Sequence, residues 1–246
     1  MGHYLYAVTA DTTPASPPMV GLFDAPVYTV VEDGIAAVVS DFEDVRLRPE
    51  RKHLTAHQQV LRHLLSAATP LPMRFGLVSA GEKATRKLLK RFHEDLSEQL
   101  VRVEGRVEMG LKVRWDVPNV FEHLLQADPS LAELRDQIRD AESGGTVLHQ
   151  QRIELGRRVE AAIEQEREQT AARVSAVLES VAVEIHAGVL RTETELLNFS
   201  CLIDKEREDE FGDRVVEAAA GFDGSYAFDY NGPWAPHNFV SLDLEL

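Results

Sequence analysis

The residues of this chain best suited to chemistry are its nine histidines and its one cysteine. His53 and His57 stand four apart, with His63 further along the same segment. On a helix that spacing sets two imidazoles on one face, where they could grip zinc. A hydrolytic zinc motif would carry Glu directly after the first histidine as general base, and here that place is Leu54. No cysteine or carboxylate cluster stands nearby at ligand spacing, so the histidines are expected at the surface or half-buried, without metal. Cys201 lies inside the apolar run LLNFSCLI and reads as a small buried hydrophobe. A lone thiol cannot close an intramolecular disulfide and fits a reducing cytosol. GxSxG, GxGxxG and P-loop patterns are missing, and Gly144-Gly145 is the only adjacent glycine pair. No catalytic residue, phosphate cradle or cofactor site is therefore expected.

Two other stretches could bind rather than react. Arg74 falls in PLPMRFGLV, an apolar strand-like run with Gly76 two residues on. A buried guanidinium there needs a carboxylate or several carbonyls, so Arg74 is expected to clamp a neighbouring loop, with an external anion as the alternative. In DYNGPWAPHNFV, Gly232-Pro233-Trp234 joins two strand-like stretches. Gly232 permits an unusual φ and Pro233 stiffens the turn. Trp234, costly to expose, must then cover a sheet edge or helix end, or meet a partner.

The elements that would position these residues follow from periodicity. YLYAVT (4–9) is a first strand, and the prolines of DTTPASPP make a loop. VYTVVEDGIAAVVSD is a hairpin about Asp33-Gly34, a type I′ turn pair. Leu54, His57, Val60, Leu61, Leu64 and Leu65 recur at helical spacing, and so do Leu88, Leu89, Phe92, Leu96 and Leu100. VEMGLKVRWD (107–116) closes a βββαβαβ order, an α+β sheet domain with helices on one face. Shorter helices are expected near Val120–Gln126 and Pro129–Glu142, then a break at Ser143-Gly144-Gly145.

Beyond that break one long helical pattern runs from Thr146 to about Ala187, roughly 60 Å if unbroken. Its stripe includes Leu155, Val159, Ile163, Val174, Leu178, Val181 and Ile185, flanked by acids such as Glu160 and Glu164. The stretch from Leu148 to Ile163 is expected to be less buried than the stretch from Val174 to Ile185, and so available to another helix. ELLNFSCLIDK, a helix over Glu206–Ala220, SYAFDYN and HNFVSLDLEL complete a small antiparallel sheet backed by a helix.

The formal net charge of −15 repels nucleic acid and anionic membrane. No apolar run reaches membrane-spanning length, and MGHYLYAVTA has no signal-peptide character. A cytoplasmic protein is expected.

YLYAV, AHQQVL followed by PLPMRFGLV, LKVRWD and YNGPWAPHNFVSLDL occur in the order seen in the gas vesicle GvpF/GvpL family, which the chain resembles over its length. PLPMRFG, with Arg74, Phe75 and Gly76, and the segment around Gly232, Pro233 and Trp234 are the most specific elements. A second proline and an aromatic commonly follow GPW in that family, whereas Ala235-Pro236-His237 stands here. The resemblance implies a non-enzymatic accessory or structural protein of the gas vesicle, without cofactor. It implies contact with the hydrophobic shell protein and with other accessory proteins, keeping the shell subunit from aggregating as assembly starts. It also implies two α+β domains, an N-terminal modified ferredoxin-like domain (1–142) and a C-terminal domain with the long helix (143–246). The alternative is a small-molecule-binding regulatory protein using its sheets as a ligand platform.

Overall fold

The computed structural model describes residues 1–10, 19–43 and 47–241. The DTTPASPP loop and the final LDLEL therefore lie outside the described residues. In chain order come β1 (Gly2–Ala10), β2 (Met19–Val20), β3 (Pro26–Glu32), β4 (Ile35–Phe42), α1 (Arg51–Ala67), β5 (Leu71–Pro72) and β6 (Val78–Ser79). Then follow α2 (Glu82–Arg91), α3 (His93–Val103), β7 (Arg106–Trp115), α4 (Val120–Ala127), α5 (Pro129–Ser143) and α6 (His149–Leu178). β8 (Ala182–Ala187), β9 (Glu195–Asp204), α7 (Glu208–Ala220) and β10 (Tyr226–Trp234) complete the chain. This is the mixed α+β class expected.

The first sheet has the antiparallel order β2-β3-β4-β1-β5, with β6 also paired to β1. The β3–β4 hairpin closes at Glu32↔Ile35, and both Asp33 and Gly34 have positive φ (49° and 86°), as a type I′ turn requires. Helices cover both faces of this sheet, not one. Leu5, Val8, Val30, Ile35, Ala37 and Val39 pack with Leu88, Leu89, Leu96 and Val103 of α2 and α3. Tyr4, Tyr6, Ala7, Val38 and Phe42 pack with Val60, Leu61 and Leu64 of α1. Burial on both faces explains why YLYAV is apolar throughout instead of alternating. A register shift between Leu5 and Ala7 turns Tyr6 and Ala7 to the same side, toward α1. On α1 the buried stripe begins at His53 rather than Leu54, which is 40% exposed.

Several expectations need correction. Strand β7 belongs to a second sheet, of order β10-β7-β9-β8. The helix expected through Leu88, Phe92, Leu96 and Leu100 divides at Phe92, whose φ and ψ of −107° and 20° leave the helical range. The long helix stops at Leu178; beyond it AVEIHA is β8, since its β-branched Val183 and Ile185 at period two suit a pleated strand better than a helix. Gly232-Pro233-Trp234 is the end of β10 rather than a turn between strands, and His237–Phe239 forms a 3₁₀ turn where a strand was expected.

The chain groups into two compact units. One holds Met1–Met109, Leu202–Glu208 and Gly232–Leu246; the other holds Gly110–Cys201 and Asp209–Asn231. The glycine pair Gly144-Gly145, expected as a boundary, lies inside the second of these, between α5 and α6.

Candidate functional site

In the first unit the two most distinctive motifs meet at one histidine. β5 and β6 both lie antiparallel to β1: Val8↔Leu71 and Ala7↔Pro72 on one side, Tyr4↔Val78 and His3↔Ser79 on the other. Leu5 and Tyr6 of β1 are thus opposed by the five residues from Met73 to Leu77. The Met73 N–H donates to the Tyr6 carbonyl (2.8 Å) and the Leu5 N–H to the Leu77 carbonyl (3.0 Å). Arg74, Phe75 and Gly76 are left over and bulge from the edge. Phe75 turns inward, its ring 6.0 Å from Tyr4 and 5.8 Å from His57, while the Gly76 N–H donates to Tyr4 Oη at 3.2 Å.

Arg74 itself is exposed, and its side chain makes no hydrogen bond or ion pair among the described residues. The expected clamp is therefore not what Arg74 forms; the anchoring falls to Phe75 and Gly76. A charged side chain on a three-residue bulge costs least when it points into water.

His57 Nδ1 is 2.9 Å from Tyr4 Oη, and its ring stacks on Tyr6 at 5.6 Å. Burial, and next the neighbouring His237, push its pKa down to about 4, with the Met73 backbone opposing. His237 is likewise lowered, by desolvation against the pull of Glu108. Glu108 holds the segment after Trp234, accepting from the Asn238 N–H (2.9 Å) and Nδ2 (2.6 Å). Ala235 and Phe239 are buried beside it. Pro233 and Trp234 are half-buried, and the Arg62 guanidinium lies 5.4 Å over the Trp234 ring.

His53, the other member of the HxxxH pair, donates from Nδ1 to the Arg48 carbonyl (3.0 Å) and meets the Phe23 ring. Both imidazoles are buried, deeper than the surface or half-buried placement expected, because aromatic neighbours close over them. Among the described residues no three His, Cys, Asp or Glu side chains gather as a metal site.

In the second unit α6 is most deeply buried along its C-terminal half. Thr170, Val174 and Leu178 are its buried residues. Arg167 donates to the Glu195 (3.1 Å) and Thr192 (3.0 Å) carbonyls, and Glu166 accepts from Tyr226 Oη at 2.8 Å. Leu155, Val159 and Ile163 are half-buried against the cluster of Trp115, Leu124, Leu125, Leu131 and Leu196. Glu160 and Glu164 are exposed, Glu164 paired with Arg167. Burial thus rises along the helix toward Leu178. Cys201 is buried in β9.

An open cleft of about 500 Å³ lies along that looser half. Phe121 of α4, Ile138 of α5 and Leu155, Gly156 and Val159 of α6 form its apolar floor. Arg135, Arg139 and Arg152 stand at the rim, each already in an ion pair, with Asp136 (2.7 Å), Asp136 (3.2 Å) and Glu142 (2.6 Å) respectively. Leu155 and Val159 were legible from sequence, whereas Phe121, Ile138 and Gly156 were missed. The available signal was Gly156 itself, an isolated glycine inside a strong helical pattern.

The geometry is that of an α+β protein with an open, largely apolar cleft. The profile of the family described as gas vesicle synthesis protein GvpL/GvpF matches residues 2–241, and the chain belongs to that family. It is 32% identical to gas vesicle protein F of a Streptomyces species, over 98% of this chain and 100% of that one. It is 28% identical to gas vesicle protein L1 of Halobacterium salinarum, over 97% and 90%. The crystal structure of GvpF from an Anabaena species superposes with a TM-score of 0.87 at 26% identity, covering 98% of this chain and 99% of that one. GvpF from Microcystis aeruginosa gives 0.82, also at 26% identity and over the same shares. No described helix is long and apolar enough to cross a membrane.

Proposed function

We propose that this chain is a non-catalytic accessory of gas vesicle assembly that receives an apolar helix of the hydrophobic shell protein in the α4–α5–α6 cleft. Holding that helix keeps the shell subunit from aggregating before it is incorporated. The observation that carries this reading is Gly156. Glycine inside a helix costs about 1 kcal/mol relative to alanine, yet a Cβ at Gly156 would meet nothing within 4 Å. The missing side chain keeps the cleft floor low, so a second helix can approach closely across Leu155 and Val159. Glu160 and Glu164, further along α6, flank the seated helix.

The net charge of −15 keeps such a complex dispersed and disfavours nucleic acid as a partner. Because the cleft is open and its rim arginines are already paired, it suits a helix better than a small regulatory ligand. Other gas vesicle accessory proteins are further partners on the same reading, with the chain acting at the gas vesicle in the cytoplasm.

Co-expression with the shell protein, followed by pull-down and fractionation of floated vesicles, tests this. Gly156→Leu should fill the cleft and abolish capture while leaving the circular dichroism spectrum unchanged. Normal capture by that variant would overturn the assignment of the cleft.

A further inference from the structure

The outer side of α1 carries a second trough, of about 530 Å³, in the first unit. Arg51, Thr55, Gln58 and Arg62 line it, with Leu54 on the flank and Trp234 at one end. Steps of four, three and four residues bring those four side chains into one line along the helix. At a rise of 1.5 Å per residue, the two arginines stand about 16 Å apart along its axis.

The chemistry of the trough is cationic. Neither the Arg51 nor the Arg62 side chain makes a hydrogen bond or ion pair among the described residues, and no described carboxylate lines the trough. α1 contains no acidic residue at all, on a chain of net charge −15. Arg62 lies over the Trp234 ring, which occupies a face of its guanidinium and leaves the N–H edge free to grip a carboxylate by two bonds. Thr55 and Gln58 add neutral polar groups between the two cations, and Leu54 adds an exposed apolar side chain.

We propose that this stripe docks an acidic amphipathic helix of a protein partner, one with two carboxylates eleven residues apart. A helix laid along α1 repeats the same spacing, so both acids reach an arginine while its apolar flank covers Leu54. A long polyphosphate is the poorer occupant, since the acidic remainder of the chain repels it and the trough offers it little more than Arg51 and Arg62. This site is separate from the shell-protein cleft and stands or falls independently of it.

The test uses the full-length protein and an end-capped, fluorescein-labelled helical peptide bearing Glu at two positions eleven apart. A control peptide carries Lys at both. Fluorescence anisotropy should show saturable binding of the acidic peptide alone, weakening at least about fivefold as salt rises through the physiological range. Arg51→Glu with Arg62→Glu should abolish it, and Gly156→Leu should leave it unchanged. Equal binding of the Lys peptide, or binding that survives the double reversal, would overturn the proposal. So would tighter binding of an RNA duplex, which would make this a polyanion site. Sedimentation of the protein alone supplies a further check: self-association abolished by the same reversal would overturn the proposal by making the occupant a second copy of this chain.

Discussion

Tyr4 Oη and His57 Nδ1 lie 2.9 Å apart in the core between β1 and α1. The contact matters because His57 is held neutral there, its pKa pushed down to about 4 mainly by burial. An unfolded histidine titrates near 6.5, so below that pH the unfolded chain takes up a proton that the folded chain refuses. Stability is therefore fully present above about pH 6.5 and is lost as the pH falls toward 4, by about 3 kcal/mol for this group. Thermal unfolding followed across that range should show the decline, and His57→Gln should flatten it. A slope unchanged in that variant would place the titration elsewhere, with His237 the next group to test.

Arg74 and Phe75 are neighbours with opposite tasks. Phe75→Ala removes a half-buried ring from the Tyr4–His57 cluster and should cost roughly 2 kcal/mol, about 4–8 °C in Tm. Arg74→Ala should leave the Tm within about a degree, since its side chain is exposed. A large loss from Arg74→Ala would restore the clamp expected from sequence.

Gly232 has φ of +138°, and a Cβ there would stand 2.6 Å from Met109 Sδ and 3.0 Å from the Glu108 carbonyl oxygen. Backbone strain and crowding act together, so Gly232→Ala should destabilise by about 2 kcal/mol or more in urea unfolding. An effect below about 0.5 kcal/mol would contradict this close approach.

Gly156→Ala should act in the opposite direction. With open space around the new methyl and a better helix former in place, unfolding free energy should rise by about 0.5–1 kcal/mol. Unfolding in urea measures this directly, and a destabilised variant would mean that the α6 backbone departs from regular helix at this position.

Much of the first sheet was legible because its signals are local. Asp33-Gly34 names its own turn, and the β3–β4 register follows from it. The helices were equally plain from spacing, apart from the division at Phe92 and the end of α6, where an apolar run suits helix or strand and only the pairing in the second sheet decides. Sheet membership was not legible: β7 follows α3 directly in sequence, yet pairs with β9 and β10. Arg74 was misplaced for a related reason. PLPMRFGLV reads as one apolar strand, and nothing in its order reveals that three of its residues find no counterpart along β1. The apolar cleft was half visible, since Leu155 and Val159 lie on a periodic stripe while Phe121 and Ile138 reach it only through the packing of α4 and α5.

The interruption of PLPMRFGLV also governs what the outer side of that sheet can do with a foreign strand. β5 and β6 are two residues each, Pro72 has no N–H to give, and the ladder is broken between them. An incoming chain would find too short a row of backbone donors and acceptors to lie down in register. The sheet is thereby protected on this side from the edge-to-edge growth that seeds fibrils.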